Sequence, residues 1–270
     1  MLSVEKQMLF LLSKADELQS QEIIRIYEQR GYSPPYIRNG LSRLKKESYV
    51  DTPSRSTYRI TAAGREFIRS INRKPELYNT DWDRSWHLVL ISFPESERKR
   101  RDRLRADLLQ TGFGLLYSGM YISPWPYREE LSELIQKHDA GPFVTVFSGK
   151  MEHGEMTEDQ VEEIWSLGDL TRIYNEKQLW FEEYFEPLFT SSLEHFSSAK
   201  ASESHALELF VLFLTLGETI NELYLLDPML PPELLPANWS GRSILQRLTE
   251  NLAKIIEAIP PDSAYARFVK

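Results

Sequence analysis

SPPYIRNGLSRLKKESYVDTPSRSTYRIT, residues 33–61, reads as a helix followed by a β-hairpin. Ser33 is placed to cap the helix, and Pro34 suits its first position, where the missing N–H has no helical partner. Ile37, Leu41 and Leu44 recur at helical spacing and mark a buried stripe. At about 100° per residue this turns Asn39, Ser42, Arg43 and Lys46 to the opposite side, with Arg38 and Lys45 flanking them. Tyr49 and Val50 lead into the turn-rich residues 51–56, and Thr57, Tyr58, Arg59 and Ile60 alternate as a strand, which puts Arg55 near the hairpin tip.

Working outward, Val4, Met8, Leu11 and Leu12 give a first helix with one buried face. Ser20 is the expected cap of a second, carrying Ile23, Ile26 and Tyr27 and stopped at Gly31. After the hairpin, Thr61 is expected to cap a fourth helix whose Ala63, Phe67 and Ile71 pack back. Three helices and a hairpin are the order of a winged helix-turn-helix, whose third helix enters the major groove of DNA. Charge agrees with that reading. Residues 1–74 hold 14 Lys and Arg against 8 Asp and Glu, a surplus of six positive charges, although the whole chain carries −8. The remainder is left at −14, so only the head is suited to a polyanion.

Past the polar segment 72–84 the pattern changes. Residues 87–93 (HLVLISF) read as a buried strand, 95–111 as a charged helix, 113–122 as one or two strands, 127–138 as a helix and 143–147 as a strand. That is a β-α-β(β)-α-β order, the ferredoxin-like one. Helices return over 159–189, interrupted near Gly168, then over 204–226 and 243–258, while DPMLPPELLPANWSG (227–241) is too rich in proline for a helix and should be a rigid loop. The predicted fold class is α+β with three parts: a winged helix-turn-helix over 1–74, a ferredoxin-like middle domain over 85–155, and an α-helical effector and dimerisation domain over 156–270.

Several chemistries find no support. The chain has no cysteine, hence no disulfide, thiolate metal site or cysteine nucleophile. Its five histidines show no metal-binding spacing, and His153 with Glu152 and Glu155 reads as surface loop, so no metal is expected. No Gly-rich phosphate loop or GxSxG elbow is present, and no enzyme activity is expected. The start lacks the pattern of a secretion signal, and the densest apolar run, 207–216, is short of the roughly 20 residues of a membrane helix, so a cytoplasmic protein without membrane contact is expected.

The candidate DNA-binding residues are Arg38, Asn39, Ser42, Arg43, Lys46 and Arg55, since phosphate contacts use Lys or Arg while base edges are read by Arg, Asn or Ser. The same helix face would serve a scaffold that binds protein, which is the alternative reading. The basic run ERKRRDRLRADL (97–108) reads as a solvated helix with ion pairs Glu97–Arg101 and Arg103–Asp107. The six tryptophans lie outside the head and read mainly as core.

Separated segments resemble the PaaX-like family of repressors of phenylacetic acid catabolism. They are IRNGLSRLKKESYV and RSTYRIT in the head, WHLVLISFP and RDRLRADLLQTGFGLLYSGMYISP in the middle, and DPMLPPELLPANWSG near the end. The resemblance implies a homodimer that grips double-stranded operator DNA and is released by an aryl-acetyl-coenzyme A effector, phenylacetyl-CoA in the type members, with no resident cofactor. It places the outward residues of the third helix and Arg55 on the operator. It also likens the middle domain to small CRISPR-associated nucleases, but the first strand here ends Ser92, Phe93, Pro94 without their acidic residue. The family assigns no effector residues; Arg101, Arg105 and Trp125 supply cations for phosphates and an apolar surface for an acyl group. An enzyme acting on a CoA thioester, tethered by the head, is the remaining alternative.

Overall fold

The computed structural model describes residues 3–15, 17–71, 77–78, 80–198 and 202–269. The chain is α+β, with two antiparallel sheets set among helices. It divides into two compact units. One comprises 1–73, 177–221 and 243–270; the other comprises 74–176 and 222–242.

In the first unit, α1 (Ser3–Ser13), α2 (Ser20–Glu28) and α3 (Pro34–Lys46) bury Val4, Met8, Leu11, Leu12, Ile23, Ile26, Tyr27, Ile37, Leu41 and Leu44, every apolar position picked out by periodicity. Gly40 lets α3 approach α1 closely, because a Cβ there would stand 2.6 Å from the Met8 methyl. Strands β2 (Val50–Ser54) and β3 (Thr57–Ile60) form the hairpin, and β1 (Leu18–Gln19) adds to it in the order β1-β3-β2. Two residues carry no periodicity, so β1 is not readable from sequence. The register slips between Asp51 and Ser54, around Pro53. Thr61 does cap α4 (Ala62–Ile71), accepting from the Gly64 N–H at 3.1 Å, but the inward position is Gly64 rather than Ala63, which is exposed. Phe67 packs its ring 4.9 Å from that of Tyr49; the side chain of Ile71 lies outside those described. Ser20 begins α2 instead of capping it, the cap position being Gln19.

The same unit holds helices from the second half of the chain. A π-helical turn (Phe181–Phe185) leads into α9 (Glu186–Ser198), and α10 (Glu203–Leu226) and α11 (Gly241–Ala258) each place part of their length here. By length and composition α10 would cross a bilayer, at a mean hydropathy of 1.5, so the run 207–216 understates it. Within the unit it acts as a core helix. Leu207, Leu209, Phe210, Leu214 and Leu216 are buried, and Phe210 stacks 5.3 Å from both Tyr265 and Phe268.

In the second unit, β4 (Trp86–Ile91), α5 (Arg98–Thr111), β5 (Gly114–Tyr117), β6 (Met120–Ser123), α6 (Arg128–Lys137) and β7 (Val144–Gly149) follow the β-α-β-β-α-β order. They pair in the order β5-β6-β4-β7, antiparallel throughout. Val89, Leu104, Leu108, Phe113, Tyr121, Trp125 and Leu131 form the core between sheet and helices. Beyond it, α7 (Glu158–Trp165) opens on a capping box at Thr157, and Ser166, at φ +51°, separates it from α8 (Leu167–Trp180) two residues before Gly168. The expected ion pairs of the basic run differ. Glu97 precedes α5 and pairs with Arg100, Arg101 meets Glu95 and Asp102, and Asp107 is taken by Lys137 and His138 from α6.

Two measurements check this packing. A Cβ at Gly64 would stand 2.3 Å from the Tyr49 carbonyl oxygen, a backbone atom with little room to yield. Gly64→Ala should therefore destabilise the protein by about 1–3 kcal/mol in denaturant unfolding. His87 on β4 is buried with its Nδ1 2.8 Å from the Ser148 hydroxyl on β7, and burial holds its pKa below the usual imidazole value. The unfolded chain then binds the proton more readily, so this contribution is present above the unfolded pKa of about 6.5 and is lost as pH falls through the lower folded value. The fall in melting temperature from pH 7 to pH 5.5 should be smaller in His87→Gln.

Candidate nucleic-acid interface

The helix α3 owes its direction to Ile37, Leu41 and Leu44, which anchor it on α1 and α2 and leave the opposite side in solvent. Ser33 holds the N-cap position with an extended backbone (φ −74°, ψ 149°), though its side chain makes no capping bond among the described residues. Arg38, Asn39, Ser42, Arg43 and Lys46 are all exposed on α3, and Arg55 is exposed at the hairpin tip. Lys45 donates to the Thr52 hydroxyl at 2.7 Å, tying helix to hairpin, and Arg59 pairs with Asp51 across the strands at 3.0 Å. The two elements therefore present one surface.

The six side chains are not equally available. Arg43 donates from Nε to Glu5, a carboxylate of α1 whose side chain is 8% exposed, while Arg43 itself stays half exposed. Among the described residues, the side chains of Arg38, Asn39, Ser42, Lys46 and Arg55 make no ion pair or hydrogen bond. This surface thus offers three unpaired cations, one anchored guanidinium, an amide and a hydroxyl, the groups that contact phosphates and base edges.

The effector candidates separate. Arg101 and Arg105 lie on α5 near the Tyr121 hydroxyl, whose pKa is raised by burial and lowered in part by the two arginines. Trp125 is 3% exposed and its indole N–H donates to the Met229 carbonyl at 2.6 Å, so it packs in the core and props up the 227–240 loop. That loop carries a group the sequence reading passed over. Asp227 is buried, its Oδ2 accepts from the hydroxyls of Tyr78 and Tyr174, the latter at 2.6 Å, and its Oδ1 accepts from the Met229 N–H at 2.6 Å. Burial, with the Asp227 charge adding to it, pushes both tyrosine pKa values far above normal. The one sequence clue was an aspartate heading a proline-rich loop.

Two family models match the chain. "PaaX protein central Cas2-like domain" covers residues 79–161, and "PaaX-like protein C-terminal domain" covers residues 165–260. Among curated proteins, the transcriptional repressor PaaX of Escherichia coli K12 is 26% identical over 245 residues, spanning 87% of this chain and 73% of the repressor. Among solved structures, the uncharacterized protein Rv0674 of Mycobacterium tuberculosis shares the fold at a TM-score of 0.50 and 20% identity, over 89% of this chain and 91% of that one.

The Asp227 cluster is testable by itself. Asp227→Ala strands two buried hydroxyls and one N–H, at about 1–3 kcal/mol for each stranded group before relaxation. The variant should lose on the order of 3 kcal/mol in urea unfolding.

Proposed function

The chain belongs to the PaaX-like family, and from that premise we propose that it is a DNA-binding transcriptional repressor of an aromatic, phenylacetic acid type catabolic pathway. The observation that carries this reading is the exposed basic face of α3 beside the hairpin, in a head with a surplus of positive charge on an otherwise acidic chain. On this reading residues 1–74 are a winged helix-turn-helix, with α3 the recognition helix and β2–β3 the wing. Residues 85–155 are a ferredoxin-like middle domain, and 156–270 serve effector binding and dimerisation.

Asn39 and Ser42 face base edges, Arg38 and Lys46 the flanking phosphates, and Arg55 reaches from the wing. Arg43 reads DNA with its free nitrogens while Glu5 fixes its angle. A homodimer sets two heads on an inverted repeat, because its two-fold axis is matched by that of the operator. An aryl-acetyl-CoA effector releases it by binding better to an arrangement of heads that does not fit the operator, since a ligand shifts an equilibrium only by its differential affinity. The protein acts in the cytoplasm, where its operator and effector are, and works as a regulator and not an enzyme.

A gel shift with DNA from upstream of its own gene and its neighbours tests the proposal, with phenylacetyl-CoA added in a second arm. A retarded band dissolved by the thioester is expected; no band at any salt concentration overturns it. In the same assay log K should fall steeply with log salt, and Lys46→Ala should make the slope shallower by about one unit.

A further inference from the structure

In the second unit β7 is an outer strand of its sheet, and among the described residues it is the edge that the fold leaves open. The other edges are blunted. β1 has only two residues, and the register of β2 slips around Pro53. β5 slips between Leu115 and Tyr117, and the Gly112 carbonyl shortly before it accepts from the Trp165 indole at 3.1 Å. β7 has none of these devices. It pairs with β4 at six successive positions, reads VTVFSG without a proline or a charge, and exposes residues 145–149. A regular, uncharged edge recruits another strand, which is why proteins blunt theirs. We propose that β7 is a dimer contact: it pairs antiparallel with β7 of a second copy of this chain and joins two four-stranded sheets into one. The proposal rests on the homodimer of the repressor reading and gives the middle domain a share in it.

The ladder shows what this edge offers. The Ser92 N–H donates to the Phe143 carbonyl on the β7 side at 2.9 Å, and the Ile91 N–H to the Gly119 carbonyl on the β6 side at 2.8 Å. Main-chain groups alternate sides along an antiparallel strand. Thr145 and Phe147 therefore spend theirs on β4, while Val144, Val146 and Ser148 turn N–H and carbonyl to the open side.

Three features select a second copy as the occupant. The first is closure. Pairing Val146 with Val146 uses all of those outward groups, with Val144 of each copy facing Ser148 of the other. A two-fold axis at that position ends the assembly at two chains, so the edge is consumed and no fibre grows. The second is charge. The nearest charged residue before the strand is Asp139 and the nearest after it is Lys150. Antiparallel pairing brings the start of one strand beside the end of the other, so opposite signs approach at both ends. The third is apolar surface. On the sheet face opposite Val89, Phe147 lies beside Leu88 and Thr145 beside Leu90, and Met120 and Tyr117 continue the Leu90 row. Phe147 and Tyr117 are 57% and 64% exposed, and the two-fold seats each Phe147 against Thr145 of the other copy, so the two apolar faces run on across the joint.

Sedimentation equilibrium of the full chain tests the contact, and wild type should be a dimer. Val146→Lys sets two like charges face to face on the axis and should raise the dimer dissociation constant roughly tenfold or more, as should Val146→Glu. An equimolar mixture of the two variants should bring it back towards wild type. The chain has no cysteine, so a single introduced one reads the register directly. Facing Cα atoms in a hydrogen-bonded antiparallel pair stand about 5.5 Å apart, within reach of a disulfide. Oxidised Val146→Cys should therefore run as a covalent dimer on a non-reducing gel. Leu109→Cys on α5, a position 41% exposed against 44% for Val146, should not. A wild-type dimer that Val146→Lys leaves unchanged, with Val146→Cys linking no faster than Leu109→Cys, overturns the proposal and leaves the homodimer standing on another surface. A wild-type monomer overturns both and leaves the edge to a strand of another protein. A dimer that the Val146 charges weaken, yet that retards no operator DNA, keeps the contact and overturns the repressor reading.

Discussion

Arg30, just past the end of α2, is a cation with its side chain 8% exposed, and the first unit is organised around satisfying it. Its guanidinium donates to Gln7 of α1 and to Glu218 of α10, and it lies 5.9 and 5.7 Å from the ring centres of Tyr27 and Tyr32. Gln7 in turn donates to the Leu214 carbonyl at 2.8 Å. A buried charge stripped of its partner costs about 3–5 kcal/mol, far more than an intact pair contributes over an apolar substitute. The arrangement therefore acts less as glue than as a specification: α1, α2 and α10 have one mutual register in which this charge is neutralised. The Phe10–Phe213 contact at 6.3 Å and the Arg267–Glu22 pair extend the same join.

This join changes how the head is understood. Periodicity divides the chain where the linker falls, yet α1 and α2 share a unit with helices from beyond residue 177. The exposed basic face of α3 is then part of a larger body that includes part of α10.

How much was legible follows from range. The apolar stripes of α1, α2 and α3 are local, repeating every three or four residues, and each named residue is buried. The outward face of α3 follows from the same geometry. A hydrophobicity pattern points to Ala63 because it does not credit a glycine, whereas the close approach of the helix to the Tyr49 carbonyl puts Gly64 inward. The helix start at Arg98 shifts the partner of Glu97 from Arg101 to Arg100, since a turn at Glu95–Glu97 stands where the first helical turn is expected, and Asp107 goes to Lys137 and His138 through a contact between helices that no local pattern shows. Tyr78 and Asp227, 149 residues apart, meet only through the fold, and no local pattern joins them. Trp125, Arg101 and Arg105 stand out in the sequence by residue type alone, and type does not tell whether an indole N–H is already spent on a carbonyl, as that of Trp125 is on Met229.

Pro53 carries one more implication. β2 is the outer strand of its sheet, and the slip between Asp51 and Ser54 falls on this proline, which has no N–H to donate. An open strand edge invites a neighbouring chain to add itself, the first step of fibre growth, and a proline within a bulge denies it a continuous template. The hairpin can thus project into solvent without recruiting copies of itself.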